Sequence, residues 1–234
     1  MKIIITESYE ALGNLAASIL LGKMTEDKRV NISITAGNTP QSTYAALIPR
    51  VKNNAAYQNV HYYNFDEIVE VGEEKGMTEA ALQKLFFQPA NISSEQIHLL
   101  NLSNYQEQDQ RIANAGGLDA MLIGIGEDGH FCANMPQSTE FNRHTHEVLI
   151  KPEYSWYEWA KADSGEKLPA SFVTMGAASI MKVKQLILIA NGSHKAGIIK
   201  RALSGPIDRD IPASILQLHP NLTVILDQEA AADL

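Results

Sequence analysis

A single cysteine, Cys132, stands among 234 residues. It excludes an internal disulfide and any multi-cysteine zinc or iron–sulfur site. Positive charge is also scarce, with 19 Lys and Arg against 27 Asp and Glu and a formal charge of −8. General nucleic-acid binding needs clustered cations that displace counterions, so that class is excluded. No apolar run approaches the ~20 residues of a membrane span. The opening MKIIITESYE turns acidic within seven residues and has no export-signal layout, so the expected compartment is the cytoplasm. Walker-type G-K-[ST], G-x-S-x-G and H-E-x-x-H signatures are missing too. What is present is an ordinary mixture, 45% hydrophobic and 20% charged, sufficient for a real core. The length fits one domain over residues 1–234.

Short β-branched runs read as strands at Ile3–Ile5, Val30–Thr35, Val60–Tyr63, Ala120–Ile123, Val148–Ile150, Leu186–Ile189 and Leu222–Leu226. Helical patterns lie between most of them. Ser8–Leu21 begins with a candidate N-cap and gathers Leu12, Leu15, Ala16, Ile19 and Leu20 on one face. Weaker helical patterns cover Thr78–Phe87, Tyr105–Ala115, Lys195–Leu203 and Pro212–Leu218. The alternation predicts an α/β fold, a Rossmann-like open and mainly parallel sheet with helices on both faces. Ligand sites in such sheets lie at the C-terminal ends of strands. The strand order does not follow from the pattern.

Four strand ends carry chemistry. After Val30–Thr35 comes Ala36-Gly37-Asn38-Thr39-Pro40, in which Thr39 and Pro40 read as N-cap and first helical residue. Free amides and the Thr39 hydroxyl suit a phosphate; the plainer alternative is a tight turn with a capped helix. After Val60–Tyr63 comes Asn64-Phe65-Asp66-Glu67, where Asp66 is either a general base with a burial-raised pKa or a solvated loop acid. After Leu186–Ile189 comes Asn191-Gly192-Ser193-His194-Lys195, a second anion contact through Lys195 or ordinary helix-start chemistry.

The fourth is Gly124-Ile125-Gly126-Glu127-Asp128-Gly129-His130 after Ala120–Ile123. It matches G-x-G-x-x-G literally, but Glu127 and Asp128 would set negative charge beside a pyrophosphate, and Pro136 limits a following helix. A flexible turn that lets Asp128 orient the His130 imidazole is the better reading. Metal is the competing account, with Asp128, His130, Cys132, His144 and His146 as ligands, although their spacing matches no close ligand set. Together the four segments predict an enzyme that moves protons on a small phosphorylated metabolite, with no redox cofactor required and metal as the less favoured alternative.

On these residues, nearly the whole chain resembles the superfamily of glucosamine-6-phosphate deaminases and 6-phosphogluconolactonases. AGNTPQSTY is similar to its phosphate loop, NFDEI to its catalytic aspartate segment, GIGEDGH to its most specific signature, and NGSHKA to its phosphate-lysine turn. GPIDRDIPASILQLHPN, from Gly205 to Asn221, resembles the closing segment of the deaminases in particular. The resemblance implies an aldose–ketose isomerase and deaminase of hydrolase class acting on an amino-hexose or hexose 6-phosphate. Asp66, Asp128 and His130 would be catalytic; Gly37, Asn38, Thr39 and Lys195 would bind the substrate phosphate. It implies no cofactor, no nucleic-acid partner and no membrane partner, and it leaves homo-oligomerisation open.

Two departures stand out. Met135 occupies a position where the deaminases carry a glutamate of the histidine relay, a feature the lactonases share in lacking that acid. The stretch Tyr154–Lys167 is rich in aromatics and acids and does not match the family's arginine-containing pattern. The alternatives are therefore a sugar-phosphate lactonase and a non-catalytic sugar-phosphate sensor; against the sensor, no DNA-binding helical module precedes Ile3.

Overall fold

The computed structural model describes residues 1–234. Its strands are β1 (Lys2–Thr6), β2 (Val30–Ser33), β3 (Val60–Tyr63), β4 (Asp66–Glu67), β5 (Ile97–His98), β6 (Ala120–Ile123), β7 (His146–Leu149), β8 (Ser171–Thr174), β9 (Leu186–Ala190) and β10 (Leu222–Asp227). Its helices are α1 (Tyr9–Met24), α2 (Gln41–Val51), α3 (Met77–Leu82), α4 (Gln108–Asn114), α5 (Tyr157–Ser164), α6 (Ala177–Ile180) and α7 (Ala196–Ser204). None is long and apolar enough to cross a membrane.

Seven strands form one sheet in the order β1-β10-β9-β6-β2-β3-β5. Every neighbouring pair in it is parallel. The chain winds one way from β2 through β3 to β5, and the other way from β6 through β9 to β10. β2 and β6 are neighbours where the winding reverses, so a crevice opens beyond their C-terminal ends.

All five residues of β9, Leu186 to Ala190, are buried. Alternate residues face opposite sides of a strand, so Leu186, Leu188 and Ala190 enter a core with α7. Ile187 and Ile189 enter a second core beneath α1 and α2. Burial on both faces is why this run has no polar alternation. α1 starts as its sequence predicts: the Ser8 hydroxyl accepts the Ala11 amide at 3.1 Å, and Leu12, Ala16, Leu20 and Met24 form its buried stripe.

Several expectations need correction. The Val148–Ile150 strand exists as β7 but lies outside the parallel sheet; it pairs antiparallel with β8, which also pairs with β4. These three strands form a satellite sheet that the sequence pattern did not show. β2 stops at Ser33, although the Ile34 amide still donates to the Tyr63 carbonyl at 2.9 Å. Pro212–Leu218 is 3₁₀ rather than α, and the Thr78–Phe87 pattern starts at Met77 and widens into a π-turn over Gln83–Phe87.

Candidate active site

The crevice holds a cavity of about 650 Å³, and all four predicted strand-end segments reach it. Gly37, Asn38, Thr39, Asp66, His130 and Lys195 line it; Asp128 does not, and stands behind His130 instead.

The loop after β2 forms part of the wall. Gly37 has φ of 104°, a left-handed conformation that costs glycine little, and it lets the chain turn sharply after the buried strand. The Tyr9 hydroxyl donates to the Asn38 carbonyl at 2.8 Å and accepts the Ser42 amide at 3.1 Å, tying the loop to α1. Thr39 is not the helix cap. Pro40 precedes α2 in helical torsions, and no side chain caps this helix. The proline ring pre-sets the first turn, so the Thr39 hydroxyl stays uncommitted beside the cavity. Lys195 also lines the cavity, and its Nζ donates to the Ile125 carbonyl at 2.7 Å. An ammonium has three N–H donors, so two remain for an anion. Burial holds the Lys195 pKa below its ordinary value, with Glu127 and Asp128 opposing that shift.

Asp66, also on the cavity wall, sits in β4, opposite Thr174 of β8. It is neither a loop acid nor a cap. Its carboxyl reaches the cavity but is otherwise enclosed by protein, and burial pushes its pKa up to about 6. The Thr78 hydroxyl, 3.3 Å from Oδ1, and His130 pull the other way. The capping role falls to the adjacent Glu67, only 2% exposed, which accepts the amides of Ile68, Thr78 and Glu79 at 3.0, 2.8 and 2.9 Å.

His130 Nδ1 lies 2.6 Å from Asp128 Oδ1, and the same oxygen accepts the His130 amide at 3.0 Å. Asp128 Oδ2 accepts the Ser155 hydroxyl at 2.7 Å. Burial opposes ionisation of Asp128, but these donors outweigh it and hold the carboxyl well below the usual range. Gly126 makes the fold-back feasible: a Cβ there would collide with the His130 ring and the Asp128 carboxylate. The loop then continues through turns and a Phe131–Asn134 bridge, not a helix, so the dinucleotide pattern lacks its helix start. Cys132 also lines the cavity, where burial and then the Asp66 charge push its thiol pKa well up and keep it neutral.

The candidate metal ligands do not converge, and no group of three or more His, Cys, Asp or Glu comes together. His144 lies 3.6 Å from Asp109, and His146 Nδ1 meets the His144 carbonyl at 2.7 Å.

Thr78, Ser155, Trp156 and Trp159 also belong to the cavity wall and were absent from the candidate set. Trp156 and Trp159 are the only tryptophans in the chain, and their three-residue spacing in an aromatic-rich stretch was the available signal. Met135 does not reach the cavity. It is buried with Tyr154 and Phe172, and the Trp156 indole N–H donates to its sulfur at 3.4 Å.

A family model described as "Glucosamine-6-phosphate isomerases/6-phosphogluconolactonase" matches residues 6–225. The chain belongs to this family. It is 34% identical to a glucosamine-6-phosphate deaminase of Shouchella clausii, over 99% of this chain and 97% of that one. A deaminase of Lachnoclostridium phytofermentans is 37% identical, over 96% of this chain and 98% of the relative. Among solved structures, one described as a monomeric glucosamine-6-phosphate deaminase superposes with a TM-score of 0.86 at 29% identity, covering all of both chains. A 6-phosphogluconolactonase of Trypanosoma cruzi shares the fold, with a TM-score of 0.76 at 18% identity over 100% of this chain and 96% of that one.

Proposed function

We propose that the protein is a cytoplasmic glucosamine-6-phosphate deaminase that converts an amino-aldose 6-phosphate and water to fructose 6-phosphate and ammonium. The observation that carries this reading is the single cavity in which an enclosed carboxylate, a carboxylate-backed imidazole and a phosphate-sized set of donors meet.

The phosphate anchors the sugar through the Gly37–Thr39 amides, the Thr39 hydroxyl and Lys195, and this remote contact supplies orientation for the reacting carbons. His130, held by Asp128, moves a proton between the ring oxygen and the anomeric hydroxyl, and the pyranose opens to the aldehyde. Asp66 removes the C2 proton, and the electron pair forms the C1–C2 enol. Returning that proton to C1 leaves a C2 iminium, which adds water and expels ammonia to give the ketose. A base with pKa near 6 is ionised at neutral pH yet basic enough to shuttle a proton. The sequence of steps is proton transfer and hydrolysis of a C–N bond, so its balance needs no oxidant or reductant.

Enzyme-dependent ammonium release from glucosamine 6-phosphate tests this; a folded sample that releases none at saturating substrate would remove the assignment. A second reading follows from Met135, whose burial leaves His130 with one carboxylate partner, an arrangement that also suits activating water against an ester carbonyl. Lactone hydrolysis is ruled out if 6-phosphogluconolactone disappears no faster with the enzyme than without it.

A further inference from the structure

Asp66 is held from a direction that its own strand does not supply. Its Oδ1 faces the Thr78 hydroxyl of α3 at 3.3 Å, and both residues line the cavity. Thr78 is fixed in turn by Glu67, whose buried carboxylate accepts the Thr78 amide through Oε1 and the Glu79 amide through Oε2. The Glu67 seat depends on Gly76, because a Cβ there would strike the Glu67 carboxyl. A return bond from the Met77 amide to the Ile68 carbonyl, 2.8 Å, closes the unit. A glycine, a buried glutamate and the first turn of α3 thus work as one clamp whose exposed product is a hydroxyl on Asp66.

We propose that Thr78 is a positioning residue for the catalytic base, and that Glu67 is the clamp that presents it. This rests on the reading of Asp66 as the base. A carboxylate has two oxygens and can rotate about its Cβ–Cγ bond; committing one to Thr78 restricts that rotation and leaves the other for the substrate's C2 proton. The hydroxyl has a second effect, because donation to the ionised form favours that form. It works against the burial that raises Asp66, alongside His130 of the loop after β6, while Glu67 on the same strand and Cys132 are the other titratable groups facing the pair.

The test is turnover of glucosamine 6-phosphate as a function of pH by the full chain carrying Thr78→Val, Thr78→Ser or Glu67→Gln. Loss of one well-placed hydrogen bond lowers kcat about ten-fold in Thr78→Val. KM stays within about two-fold, because the phosphate contacts are elsewhere. The acidic limb of the kcat/KM profile moves to higher pH, and Thr78→Ser restores both rate and limb. Glu67→Gln, whose amide retains an acceptor for only part of the clamp, gives an intermediate loss. Circular dichroism and thermal melting report the fold, and Thr78→Ala replaces the valine variant if Thr78→Val does not fold. A folded Thr78→Val enzyme with unchanged rate and limb overturns the proposal, as does a serine variant no better than valine. Failure of the base reading has a different signature: Asp66→Asn would then turn over normally whatever happens at Thr78.

Discussion

Asp66 and Asp128 serve one cavity from two strand ends, and their surroundings drive them in opposite directions. Asp66 stands in β4 with one hydroxyl for company, so burial prevails and its pKa rises to about 6. Asp128 is also partly buried, yet it collects the His130 ring, the His130 amide and the Ser155 hydroxyl, and its pKa falls. The same side chain is made more basic in one place and more acidic in the other by the number of donors around it. A proton carrier needs the first state. A group that orients an imidazole and balances its charge needs the second, which fits Asp128 standing behind His130 rather than against the cavity.

One substitution applied to both sites breaks the comparison most sharply. Asp66→Asn removes the proposed base, and turnover is expected to fall by about 10³-fold or more. The same change raises thermal stability at pH 8. A carboxyl whose folded pKa is raised stabilises the fold below its unfolded pKa and loses that contribution as pH rises through about 6. Relief from burying the ionised group is worth about 1–2 kcal/mol at alkaline pH, read as a higher Tm. Asp128→Asn has the reverse sign in stability. Its depressed pKa gives a contribution present above the unfolded pKa and lost as pH falls through the lower folded value, so the variant loses about 1–2 kcal/mol at neutral pH. Its turnover falls about 10²-fold, because the imidazole keeps its site but loses its charged partner. If thermal melts at pH 8 show both variants moving in one direction, the contrast between the two environments is wrong.

Gly126→Ala acts first on the His130–Asp128 pair. A methyl at that position forces His130 and Asp128 apart. Turnover by this variant should fall about ten-fold or more, with the acidic limb of Asp66 moving to higher pH as the displaced His130 lowers that pKa less, as kcat/KM profiles would record. The smallest expected effect is at Ser155, whose hydroxyl is one of several donors to Asp128. Ser155→Ala lowers kcat about three-fold, the worth of a single redundant hydrogen bond.

The residues of the cavity wall differ in how far the sequence discloses them. Gly37–Thr39, Asp66, His130 and Lys195 follow apolar runs directly, and parallel winding carries consecutive strand ends to one edge. Period and position together were enough to group them. Thr78 and Ser155 escaped notice because their partners lie 12 and 27 residues away and meet them only after α3 and the segment before α5 have docked. The satellite sheet was hidden for a related reason. β4 has two residues, and β7 alternates half-buried with exposed positions, so neither offers the continuous apolar run that marked β9. Thr39 has the residue type of a cap, but the proline beside it fixes the first turn and leaves the hydroxyl without that role.

The central claim is that Asp66, basic because it is enclosed, carries the substrate proton. The pH dependence of kcat/KM for ammonium release from glucosamine 6-phosphate, measured on the wild-type chain and on Asp66→Asn, tests it directly. An acidic limb near pH 6 in the wild type, with no such limb in the residual activity of the variant, is the predicted result. A wild-type limb at the ordinary carboxylate value, or the same limb and rate in Asp66→Asn, would contradict it.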